Sequence, residues 1–158
     1  MTFSKSWGYG VRALVRLAGT YEDPEYRWQA GELADAAKLP SSFLSKVLHQ
    51  LTSAGLVDSA RGRGGGVRLA APPEDIRLID IARATEDTDA LNLAAAGFEE
   101  ATEELRKAIQ ERWRPYERGM LEFLAETTIA DLLRSLPPQP APVIQSDDNE
   151  NSEQEDEV

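Results

Sequence analysis

From Ala60 to Ala70 the chain reads ARGRGGGVRLA, four glycines and three arginines in eleven residues. Two architectures use such a segment: a loop that cradles phosphate, or the tip of a β-hairpin. A phosphate-binding P-loop needs a lysine and a hydroxyl residue after its last glycine, a buried strand before it and a helix after it. Here no lysine follows, and Val67 and Leu69 alternate with Arg68 as in a half-buried strand. The hairpin is the better account, because glycines supply positive φ at no steric cost and allow another backbone to approach closely. A plain tight turn with solvated arginines is the alternative reading.

What precedes this segment reads as helices. Val11, Leu14, Val15 and Leu17 with Ala18 recur on one helical face, which predicts a helix from Ser6 to Thr20. YEDPEYRW is then a turn-rich connection, and Ala30 to Ala37 gives a short second helix. Pro40 disfavours helix in the residue before it, and Ser41 offers an N-cap oxygen. A third helix is expected from Ser41 to Ala54, its apolar stripe Leu44, Val47, Leu48 and Leu51, ended by Gly55. Strand-like pieces at 56–60 and 67–70 flank the glycines. Three helices followed by a two-stranded hairpin make a winged helix-turn-helix.

Beyond Pro72 and Pro73 a helix is expected from Leu78 to Glu86, then an alanine-rich link, DTDALNLAAAG. A long helical pattern follows from Glu99 to Glu126, with Pro115 expected to kink or restart it. A last helix, Ile129 to Leu136, stops at Pro137. The remainder is proline-rich and then acidic, too poor in apolar groups to offset the cost of ordering. The expected organisation is mainly α: a DNA-binding unit over 1–86, linker and dimerisation helices over 87–136, and a disordered acidic tail over 137–158.

Composition removes several function classes. The 158 residues include no cysteine and one histidine, His49. Disulfides, thiolate-held zinc and cysteine-held iron–sulfur clusters are excluded, and no metal or other cofactor is expected. His49 alone gives no convergent nucleophile, base and orienting group, so the chain is not read as an enzyme. No stretch is long and apolar enough for a membrane span, and a cytoplasmic protein with no membrane partner is expected. The net charge of -11 is unevenly placed. Residues 1–71 hold nine Lys/Arg against six Asp/Glu, whereas 147–158 hold seven acids and no base. Only the first half suits a nucleic-acid surface, and the acidic tail is either a solvated end or a competitor of DNA for that surface.

Several segments in order, YGVRAL, SSFLSKVLHQL, AGLV, RGRGGG, PPEDIRLIDIARA and ETTIADLL, resemble the Rrf-type family of bacterial regulators, over about residues 3 to 134. The resemblance implies dimeric DNA-binding repressors or activators whose long helix before TTIADL is the dimerisation element. Many members hold an iron–sulfur cluster through three cysteines ahead of that helix. Here the interval DTDALNLAAAGFEEATEEL has none, and Gly8 stands where one member has an acidic ligand. Any signal would come from an unidentified small molecule or protein effector.

In a winged helix-turn-helix the third helix enters the major groove, where Ser41, Ser42, Phe43, Ser45 and Lys46 would meet bases and phosphates. Phe43 either presses on a thymine methyl or completes the core. Arg61 and Arg63, on a narrow glycine backbone, would enter the minor groove. By resemblance Arg61, followed by Gly62, matches the groove-inserting arginine, whereas Arg63 replaces a frequent proline. Arg68 touches phosphate or lies solvated on its strand. Leu105, Ile109, Trp113, Met120 and Leu124 would pair two chains across a two-fold axis, presenting two recognition helices to palindromic double-stranded DNA, the alternative being that this stripe is simply intramolecular core. The reading is a homodimeric, sequence-specific regulator, a repressor without a cluster. A winged-helix adaptor that binds protein and does not read DNA is the alternative.

Overall fold

A computed structural model of the chain describes residues 3–86 and 100–138. The alanine-rich link and the tail from 139 onward lie outside the described residues. Helix α1 (Lys5–Ala18) starts at Ser4, whose hydroxyl accepts from the Trp7 amide at 3.3 Å. That bond satisfies one of the free donors of the first turn. Its buried face, Gly10, Ala13, Leu14, Leu17 and Ala18, is the central surface of the fold. Gly10 sits there because a Cβ would come within 3.0 Å of the Ile81 side chain.

Helices α2 (Ala30–Ala37) and α3 (Ser41–Ser53) form the helix-turn-helix against α1. Between them Lys38 adopts φ 53°, the one non-glycine residue with positive φ among the described residues. Arg12 of α1 stabilises this turn by donating to the carbonyls of Ala37 and Lys38, the latter at 2.6 Å. Ser41 was expected to cap α3, but Pro40 holds the cap position and Ser41 is the first helical residue. Proline preorganises that entry through its fixed φ, here -63°. At the other end Gly55, φ +73°, donates to the Thr52 carbonyl and Leu56 to the Leu51 carbonyl, both at 3.0 Å. This is the paired closing pattern that a left-handed glycine allows.

Strands β1 (Val57–Ala60) and β2 (Gly66–Leu69) pair antiparallel, Val57 opposite Leu69 and Ala60 opposite Gly66. The wing has a third member that the turn-rich reading of YEDPEYRW missed. Trp28 and Val67 exchange both backbone hydrogen bonds at 2.9 Å. Tyr26 and Trp28 alternate with Arg27 in strand fashion, which is the local signal for it. Trp28 is 3% exposed, and its indole donates to the Thr20 hydroxyl at 2.9 Å.

Helix α4 (Leu78–Thr85) packs on α1 and α3. Helix α5 (Glu103–Glu126) begins later than expected and runs unbroken through Pro115. The expected restart does not occur: the ring and the helix backbone are accommodated on a solvent-exposed stretch. Helix α6 (Ile129–Arg134) ends two residues before the expected Leu136. Its first turn is closed reciprocally by Thr128 and Asp131, the hydroxyl and carboxylate each accepting from the other's amide at 3.1 and 2.9 Å. Backbone hydrogen bonds from Leu78 to Thr127 and from Ile129 to Ile76 clip this return to α4. Leu124 and Ile129 therefore share one core with Leu14, Leu51 and Ile76.

Candidate nucleic-acid interface

Helix α3 is divided by its own sequence. Leu44, Val47, Leu48 and Leu51 are buried, and the residues between them, Ser42, Phe43, Ser45, Lys46 and His49, are exposed. Ser41 is exposed as well, at the N-terminal end. All five residues expected on the reading face are thus presented to solvent. The Ser45 hydroxyl also rests 3.1 Å from the Ser41 carbonyl, to which it donates. Phe43 is 53% exposed, so its ring does not complete the core. It meets Tyr9 of α1 edge-on, with ring centroids 5.9 Å apart. Tyr9 therefore limits the orientations open to Phe43, a support that needs the packing of α1 on α3 to be seen.

Arg61, Gly62 and Arg63 are exposed at the tip of the hairpin. Gly62 and Gly64 take φ +92° and +76°, and a Cβ on either would meet open space. Gly65 and Gly66 are different. A Cβ on Gly65 would fall 2.5 Å from the Ala60 carbonyl oxygen, and one on Gly66 would fall 2.6 Å from that of Trp28. The first pair serves the turn and the second serves close backbone approach. The Gln29 side-chain amide donates to the Gly65 carbonyl at 2.6 Å, anchoring the wing to the start of α2.

Two other basic side chains of this half, Arg68 and Arg27, are committed to the fold. Arg68 donates to Asp58 at 3.3 Å and to the Pro24 carbonyl at 2.8 Å. Arg27 pairs with the same carboxylate at 2.9 Å. The phosphate-contact reading of Arg68 gives way to this framework role. Hydrogen bonding from Arg27, reinforced by the charges of Arg27 and Arg68, holds the Asp58 carboxyl below its ordinary pKa. Among the described residues, Lys46, Arg61 and Arg63 have no such partner.

Of the side chains expected to pair two molecules, Leu105 and Trp113 are 50% and 39% exposed on α5, with Ile109 half-buried between them. Tyr116, 72% exposed, meets the Trp113 ring edge-on and extends this stripe. An open groove on this face is lined by Ile109, Trp113, Pro115 and Tyr116. Met120 is half-buried against the core. Leu124 is 1% exposed inside the chain's own core and is not available to a second chain.

An exposed polar helix beside a glycine-built wing, carried on three helices, defines a winged helix-turn-helix transcriptional regulator. Residues 3–135 match the Rrf2 family, described as iron-dependent transcriptional regulators, and the chain belongs to that family. It is 33% identical over 134 residues to the HTH-type transcriptional regulator BadM of Rhodopseudomonas palustris, covering 85% of this chain and 82% of that one. It is 41% identical over 91 residues to the aau3 protein of Rhizobium meliloti, covering 58% of this chain and 57% of that protein. Its fold is similar to that of CymR, the global cysteine regulator of B. subtilis, with TM-score 0.71, 27% identity, and 87% and 99% of the two chains covered. For IscR of T. potens the TM-score is 0.65, with 29% identity over 85% and 88%.

The family description names iron, and the donors of this chain do not fit an iron–sulfur cluster. The sequence contains no thiolate. Among the described residues no three His, Cys, Asp or Glu side chains gather in a group that could hold a metal. Among the same residues no helix is long and apolar enough to cross a membrane.

Proposed function

We propose that the protein is a cytoplasmic homodimer that reads palindromic double-stranded DNA and represses transcription without an iron–sulfur cluster. The observation that carries this is a division among basic residues. Arg12, Arg27 and Arg68 are tied into the fold, whereas Lys46, Arg61 and Arg63 project from α3 and the wing. A framework needs the first group. A polyanionic partner gives the second group a use, Lys46 toward phosphate or guanine and Arg61 with Arg63 toward a narrow minor groove. Ser41, Ser42, Ser45 and Phe43 supply short hydrogen bonds and an apolar contact to base edges beside them.

The second chain would cover the α5 face of Leu105, Ile109, Trp113 and Tyr116, whose exposed apolar area supports pairing. Two wings and two α3 helices would then face half-sites about one helical turn apart.

Fluorescence anisotropy with duplexes from the protein's own promoter tests the reading. Arg61→Ala should cost about 1 to 3 kcal/mol of specific binding, and Lys46→Ala should lower the salt slope by about one. Equal affinity for every duplex, unaffected by either change, would favour a protein-binding adaptor.

A further inference from the structure

A cavity of about 480 Å³ lies between α1, the turn joining α2 to α3, and α6. Its walls combine Val15, Leu132 and Leu136 with three cationic residues, Arg12, Arg16 and Lys38. No acidic residue lines it among the described residues. This is the composition of a ligand site, mostly apolar with a few polar groups that fix orientation.

The cations are not equivalent. Arg12 is already committed to the carbonyls of Ala37 and Lys38. Arg16 instead has its Nη1 buried with no hydrogen-bond partner among the described residues. A buried guanidinium donor left unsatisfied is costly, and the planar fork of arginine matches a carboxylate. A monocarboxylate asks for one or two cationic groups beside an apolar surface, which Arg16 and Lys38 supply here among mostly apolar walls.

We propose that this cavity binds a small organic monocarboxylate, its carboxylate on Arg16 and its apolar body against Val15, Leu132 and Leu136. The position suits an effector, a role that rests on the regulator reading above. Lys38 belongs to the turn that aims α3, and α6 follows directly on α5. One ligand would thus touch the helix-turn-helix and the end of the long helix together.

Calorimetric titration of the full-length protein without DNA tests the site independently of any operator. Cinnamate, a carboxylate on a flat apolar body, is the probe, and cinnamamide is its uncharged counterpart. Cinnamate should bind, with the amide and the Arg16→Gln protein each weakened about tenfold or more. Ala36→Phe, which fills the cavity from α2 and leaves Arg16 in place, should abolish binding while circular dichroism and the thermal midpoint report an intact fold. Binding indifferent to both substitutions, or no heat at millimolar cinnamate, would overturn the proposal. So would binding that appears only after removal of residues 139–158, since the chain's own acidic segment would then be the occupant. Failure of DNA binding in the anisotropy experiment leaves the calorimetric result standing, so the two readings fail separately.

Discussion

Gln29 and Gly65 are joined by a 2.6 Å hydrogen bond from the glutamine side-chain amide to the glycine carbonyl. The residue that starts α2 therefore also holds the wing turn. Gln29→Ala should cost about 1 kcal/mol in chemical denaturation, the net worth of one such bond. The larger effect should be local. Amide hydrogen exchange at residues 62–66 should accelerate while that of α1 stays unchanged, and an unaltered wing pattern would show the bond to be incidental.

The glycines of the wing should separate by environment. Gly64→Ala places a Cβ in open space but at positive φ, and should destabilise by about 1 kcal/mol. Gly66→Ala drives a Cβ against the Trp28 carbonyl, and should cost more than about 2 kcal/mol through strain and loss of the bridge to Val67. Equal unfolding midpoints for the two variants would contradict the close approach.

Asp58 links pH to stability. Its carboxyl is held below the ordinary value chiefly by the hydrogen bond from Arg27, so the unfolded chain binds the proton more tightly than the folded one. The associated stability is present above the ordinary carboxylate range, about pH 4, and is lost as pH falls through the folded value. Asp131 behaves in the same direction through Thr128 and Arg134. Thermal melts should thus weaken from pH 5 downward, and Asp58→Asn should reduce the slope while leaving the Asp131 share. An identical slope in the variant would remove Asp58 from the account.

Helix α5 carries two kinds of apolar residue, which substitution should distinguish. Leu124→Ala opens a cavity in the core and should cost about 2 to 5 kcal/mol of folding stability. Leu105→Glu with Trp113→Glu alters exposed positions and should convert a dimer to a monomer in sedimentation, with helix content retained. Unchanged sedimentation would place the second chain elsewhere.

Much of this molecule was legible as pattern. The buried stripe of α3 left Ser42, Phe43, Ser45 and Lys46 facing outward, because a helical repeat separates faces without reference to the rest of the chain. The hairpin followed from glycines beside an alternating Val67-Arg68-Leu69. Three assignments needed more. Ser41 was displaced as cap by its neighbour Pro40, and α5 runs on through Pro115, where the loss of an internal hydrogen bond predicts a break. Leu124 belongs to the same stripe spacing as Leu105 and Trp113, and only the return of the chain through α6 puts it inside.

The sequence by itself determined the helices, the wing, the exposed reading face of α3 and the absence of thiolates, since periodicity, glycine and composition act over a few residues. The tertiary structure decided which charges are tied into the fold. Lys46, Arg61 and Arg63 were legible as outward-facing, whereas the roles of Arg12, Arg27 and Arg68 were not. What separates them is where Asp58, Pro24, Ala37 and Lys38 come to lie, partners up to 44 residues away in the chain. Whether a cation holds the fold or faces a partner is set by long-range neighbours, and those exist only once the core has closed.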